Sequence, residues 1–202
     1  MSDGFLRYVG ESAPAERVAR PLGNEPLFAI IGTALATVAV VASSWYMFAV
    51  DSGAIEFNAS LGLAQSAFVF LAAIAGYVTL CRWMQAVRTR LVEVRQPAPP
   101  TWKIWWGWII PFYNLGAPYV VMRDLRARVA SGNSAVLTVW WTTWLAGYFI
   151  AWMLSVAGAG SDIANAMIVA GAVTMIACFV CLVPLIRSIS ASLVPHTTSP
   201  QR

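Results

Sequence analysis

Four stretches of this chain, residues 27–50, 61–80, 135–156 and 164–185, contain no Asp, Glu, Lys, Arg or His. At about 1.5 Å per helical residue, each can cross roughly 30 Å of hydrocarbon. The segments between them alternate in charge. Residues 1–26 carry Arg7, Arg17 and Arg20, and residues 51–60 carry only Asp51 and Glu56. Residues 81–134 carry Arg82, Arg88, Arg90, Arg95, Lys103, Arg123, Arg126 and Arg128, residues 157–163 only Asp162, and the tail Arg187 and Arg202. Four spans place all 13 basic residues on one side of a membrane. Lys and Arg are retained on the cytoplasmic side during insertion, so the expected topology has both termini inside.

Composition agrees with that reading. Charged residues are 11% of the chain and hydrophobic residues 59%, against about 25% charged for a soluble domain. The net charge of +4 needs no nucleic-acid partner, since topology and anionic headgroups account for the arginines. The polar leader of residues 1–26 is too long for a signal-peptide n-region, and the apolar run after it too long for an h-region, so the first span should stay as an anchor. Cys81, Cys178 and Cys181 fall near the inner ends of spans two and four, where a disulfide framework is not expected.

The periodicity extends the second span beyond the bilayer. Leu80, Trp83, Met84, Val87, Leu91 and Val94 recur at three- and four-residue spacing, with Arg82, Gln85, Arg88, Thr89 and Glu93 on the other face. One helix should therefore run from about residue 61 to 95, ended by Gln96-Pro97-Ala98-Pro99-Pro100. The next piece, residues 102–119, is apolar but broken by Gly107, Pro111, Asn114, Gly116 and Pro118. Broken backbone in lipid leaves polar groups unpaired, and a fifth span would carry Arg123, Arg126 and Arg128 outside. An interfacial or re-entrant segment over residues 102–130 on the cytoplasmic side follows. Trp102, Trp105, Trp106 and Trp108 suit the headgroup zone, and Gly107 and Gly116 should permit tight backbone paths. A short helix then carries Val121, Met122, Leu125 and Val129 as its apolar stripe. Ser131-Gly132-Asn133 should stop it, and Ser134 should cap span three.

The run from Trp108 through Pro111, Asn114-Leu115, Pro118-Tyr119 and Arg123-Asp124-Leu125, preceded by Leu80-Cys81-Arg82-Trp83 to Arg88, resembles a bacterial membrane family known as domain of unknown function 4328. The likeness covers residues 61–153. It implies a multi-span membrane protein and no particular chemistry.

The residues themselves point away from catalysis. No ionisable Asp, Glu, Lys, Arg or His lies in any span, where proton relays and ion coupling place such groups. Cys178-Phe179-Val180-Cys181 has redox spacing but lies inside an apolar helix, and His196 is the only histidine. No cofactor or metal is expected. Asn114 between Pro111 and Pro118 either lines a polar cavity or satisfies its own turn. Ala166, Ala170 and Thr174 form a small-residue stripe for close helix packing, and Ala29, Thr33 and Thr37 a shorter one.

The expected fold is therefore all-α: a four-helix transmembrane bundle over residues 27–189, with residues 1–26 and 190–202 as cytoplasmic tails. The expected function is a non-enzymatic accessory or scaffold subunit that binds other membrane proteins, a second copy of itself, or anionic lipid. Its interface should comprise Trp83, Val87, Leu91, Trp102, Trp105, Trp106, Trp108, Pro111, Asn114, Pro118, Tyr119, Arg123 and Arg126. On that view, charging the helix face at Leu91 should release a partner and spare the fold. The alternative is a small passive pore lined by residues 111–118.

Overall fold

The computed structural model describes residues 22–110, 112–129, 135–156 and 162–193, the side chains of residues 155 and 156 excepted. Most of the leader, Pro111, the Ser131-Gly132-Asn133 stop, the Ser134 cap and the tail with His196 lie outside the described residues. The described chain is all helical, apart from turns and connections. Its helices are α1 (Glu25–Asp51), α2 (Ala59–Glu93), α3 (Thr101–Trp106), α4 (Ala117–Val129), α5 (Ala135–Val156) and α6 (Asp162–Ala191), with a 3₁₀ turn at Tyr113–Leu115.

Three helices, α1, α2 and α6, are long and apolar enough to cross a membrane. The 22-residue α5 matches the third uncharged stretch but falls outside that set. Trp140, Trp141, Trp144, Tyr148 and Trp152, with three threonines, lower its hydropathy without adding a charge.

Helix ends follow local chemistry. Asn58 caps α2 by accepting from Leu61 N–H at 3.0 Å. At the C-terminus of α1, Gly53 takes φ 72°, and the Ala54 and Gly53 amides donate to Ala49 and Val50 carbonyls at 2.9 and 3.0 Å. The end of α2 repeats that pattern. Gln96 and Arg95 amides donate to Leu91 and Val92 carbonyls at 2.8 and 3.0 Å, with Arg95 at φ 60°. The helix is thus closed by its own carbonyls before Pro97 is reached.

Helix α2 packs on α1, α1 on α6, and α6 on α5, whereas α2 and α5 share no extended contact. The tightest approach is between α1 and α2. A Cβ on Gly32 would lie 2.1 Å from Thr79 Oγ1 and 3.2 Å from the Ala75 carbonyl oxygen, and one on Gly76 would lie 3.1 Å from the Gly32 carbonyl. Ala29 and Ala39 are buried in the same helix, so the close seam runs on Ala29, Gly32 and Gly76. Of the α6 stripe, Thr174 lies against α5, its methyl 3.6 Å from where a Gly147 Cβ would be. Ala166 and Ala170 face outward.

One end of the molecule holds nearly all the large buried side chains. Trp83, Met84, Val87 and Leu91 of α2, Ile104 of α3, Val121, Met122 and Leu125 of α4, Leu137 and Trp140 of α5, and Leu185, Ile186 and Ile189 of α6 form one cluster. This is the platform end. Towards the other end the helices present Phe70, Leu71, Phe149, Val173 and Val180 outward. An apolar outer surface of this kind is what lipid-facing helices require.

Candidate functional site

Polar cross-links tie the platform together. Trp83 Nε1 donates to Ser190 Oγ at 3.0 Å, joining α2 to α6. Arg88 Nε donates to the Pro99 carbonyl at 2.8 Å and holds the Pro-rich run against α2. Cys81 Sγ donates to the Ile104 carbonyl at 3.2 Å, and Tyr77 OH donates to the Trp105 carbonyl. These bonds fix α3 along the flank of α2. Gly107 then allows the chain to turn under α4, because a Cβ there would sit 2.3 Å from the Lys103 carbonyl and 3.1 Å from Ala117 Cβ.

The expected interface residues separate into two groups. Trp83, Val87 and Leu91 are at most 2% exposed and belong to the shared core. They cannot receive a partner, and a charge at Leu91 would strike the core itself. The apolar face that the spacing predicts is present on α2, but α3, α4 and α6 already cover it. Pro118 is buried too. Trp105, Trp108, Asn114, Tyr119 and Arg126 are half-buried, and Pro111 lies outside the described residues. Trp102 and Trp106 are exposed, together with Ile109, Ile110, Phe112 and Leu115. Arg123 is exposed and lies 3.6 Å from Asp124, and Lys103 stands 5.8 Å over the Trp102 ring.

The expectation for Gly116 is also corrected. Its φ is −140°, and nothing lies within 4 Å of where its Cβ would be. The left-handed conformation in this segment falls on Phe112, at φ 62°.

Beyond the segment, aromatic rings run up α5. Tyr119 meets Trp141 at 6.1 Å between centroids, Trp141 stacks on Trp144 at 5.2 Å, and Trp144 on Tyr148 at 5.4 Å. Trp108 stands edge-on to Trp140 and Trp144 at 6.3 and 6.0 Å. The segment thereby bridges from α2, through Tyr77 and Trp105, to α5.

Where α2 and α5 stand apart there is a cavity of about 690 Å³, to which Thr37 of α1, Tyr77 of α2, Trp144 and Tyr148 of α5, and Trp108 and Asn114 of the segment contribute. Among the described residues, no Asp, Glu, Lys, Arg or His lines it. Asn114 reaches it without serving its own turn. The turn is closed by backbone bonds from Asn114 to Ile110 at 3.0 Å and from Gly116 to Tyr113 at 3.1 Å. Asn114 Oδ1 is buried with no hydrogen-bond partner, as is Trp108 Nε1. The sequence reading placed Asn114 and Trp108 in the segment but had no signal for the α1, α5 and α6 residues that meet them.

Residues 46–191 match the family model described as Domain of unknown function (DUF4328). The chain belongs to this family. The DUF4328 match begins in the second half of α1 and ends with α6, so it takes in the whole platform and most of the cavity wall, more than the 61–153 of the sequence resemblance. No curated protein and no solved structure matches the chain. Among the described residues, no three His, Cys, Asp or Glu side chains cluster where they could hold a metal ion.

Proposed function

We propose that this DUF4328 protein is a non-catalytic accessory or scaffold protein of the bacterial inner membrane, built as a four-helix bundle with both termini cytoplasmic. In this reading α5 crosses with α1, α2 and α6, and residues 102–130 form the cytoplasmic platform. Its outward row of Trp102, Trp106, Ile109, Ile110, Phe112 and Leu115 enters the headgroup layer, while Arg123 and Arg126 meet anionic lipid. The observation that carries the reading is that exposed row, since such large apolar side chains beside cations suit an interface between hydrocarbon and water. With Trp83, Val87 and Leu91 enclosed, a protein partner or second copy is left the outward Ala166 and Ala170 of α6.

Lipid retention tests the platform. After delipidation and exchange into mixed micelles, the protein should keep phosphatidylglycerol over phosphatidylcholine, and Arg123→Gln with Arg126→Gln should erase that preference. Equal retention of both lipids by the unaltered protein would remove the reading. Topology is checked separately, in a variant whose own cysteines are replaced. Cysteine at Ser52 should react with a membrane-impermeant reagent from outside intact cells, and cysteine at Ala127 or Ser192 should not.

A second reading, a small passive pore, draws on the cavity that Asn114 lines. Solute flux through reconstituted vesicles that Asn114→Trp abolishes would establish it, and absence of flux would dismiss it.

A further inference from the structure

We propose that the cavity between α2 and α5 binds a long-chain amphiphile whose uncharged ring bears carbonyl or hydroxyl oxygens, the isoprenoid quinone–quinol class. The site lies apart from the outward aromatic row and does not depend on the headgroup reading.

Size comes first. About 690 Å³ lies within the range of roughly 300–1,000 Å³ typical of sites for small organic ligands. Polarity narrows the ligand further. Among the described residues, no Asp, Glu, Lys, Arg or His lines the cavity, so a phosphate or carboxylate head would lose its hydration with no countercharge there. Thr33 and Thr37, the hydroxyls on the α1 wall, already donate to α1 carbonyls at 2.7 and 2.9 Å.

The floor supplies what the walls lack. Trp108 Nε1 is a donor and Asn114 Oδ1 an acceptor without a partner, and both are closed to water as the chain stands, so a ligand reaches them by turning the two side chains toward the cavity. Leaving such groups unpaired is costly, so each calls for a partner. Trp140 Nε1 adds a third poorly served group, since its interaction is with the Cys178 sulfur, a weak acceptor. An oxygen that accepts from Trp108 satisfies the donor, and a hydroxyl, or the amide presented the other way round, satisfies Asn114. Quinone and quinol oxygens fit both demands. The rings of Tyr77, Trp108, Trp144 and Tyr148 give flat surfaces for a flat head, a preference that an acyl ester would not exploit. An apolar tail would run along Val40 and Phe70.

The experiment uses the full chain in phosphatidylcholine nanodiscs, titrated with decylubiquinone and, separately, its reduced form. Trp108→Phe keeps the ring and removes the N–H, Asn114→Leu removes the amide, and Val40→Trp fills the tail region. Quenching of tryptophan fluorescence should saturate in the unaltered protein. Trp108→Phe and Asn114→Leu should each raise the apparent Kd about five- to tenfold, the equivalent of one lost hydrogen bond. Val40→Trp should abolish saturation, which keeps the test decisive if a floor variant proves unstable. Monoolein, with ester and hydroxyl oxygens but no ring, should relieve the quenching by bound decylubiquinone only when present at least tenfold above the quinone. Quenching that rises linearly with quinone in the membrane, identical curves for all variants, or equal displacement by monoolein would overturn the proposal.

Discussion

The two ends of this molecule are built on different principles. At the platform end, five helices converge on large side chains such as Trp83, Met84, Leu91, Ile104, Met122 and Ile186, all at most 2% exposed. Cross-links from Trp83, Arg88 and Cys81 fasten that core. At the far end the buried residues are small, Ala39, Ala72 and Ala164, and the large side chains point outward. The platform is packed as a soluble domain is packed, by enclosing large apolar side chains. The far end holds together through close backbone approach, the device of helices surrounded by lipid. One chain uses both, and the cavity lies where the first gives way to the second.

Substitutions can break that contrast in graded steps. The largest effect is expected for Leu91→Glu, which buries a carboxylate among apolar side chains and should cost more than about 4 kcal/mol. Loss of the monodisperse peak in size-exclusion chromatography would register it, and a folded variant would mean that the platform core is looser than drawn. Gly32→Ile attacks the other principle. Its Cβ meets Thr79 and the Ala75 carbonyl, so α1 and α2 must separate, at the upper end of the about 1–3 kcal/mol typical of overpacking. Denaturation in mixed micelles should show the shift, and an unchanged midpoint would place the α1–α2 seam elsewhere.

Smaller effects sharpen the comparison. Trp83→Phe retains most of the ring volume but removes the donor to Ser190, a loss of about 1 kcal/mol at the platform. A thermal melt that fails to drop would show that packing alone ties α2 to α6. Val173→Ala, on the outer face of α6 and 60% exposed, should stay within about 0.5 kcal/mol in the same melt. A larger change there would mark that face as an interface rather than a lipid-facing surface.

Much of this was legible in the residues. The uncharged stretches and the α2 periodicity give four of the helices, because burial in hydrocarbon and helical geometry each write a simple repeat into sequence. What covers the Trp83–Leu91 face was not legible. Leu182, Leu185, Ile186 and Ile189 of α6, with Leu193 just beyond it, continue at helical spacing past the apolar run and supply much of the cover. Pro184 and Arg187 make that stretch look like the end of a span, yet the helix continues to Ala191. The cavity was illegible for another reason. It is a gap between α2 and α5, and a gap is a relation between helices that no single stretch encodes. Asn114 and Trp108 gave the nearest hint, as polar groups in an apolar segment whose hydrogen bonds had to go somewhere.

Arg95 closes α2 in the left-handed conformation that Gly53 adopts at the end of α1. For a residue with a side chain that conformation costs about 1–2 kcal/mol, and glycine would adopt it freely. Glycine at this place would therefore hold the turn with less strain. During synthesis the balance is different, because charges flanking a new span are weighed by the insertion machinery before any tertiary contact exists. On the topology proposed above, a residue can thus be worth more to the route than to the destination, and the end of α2 keeps a small strain that glycine would not.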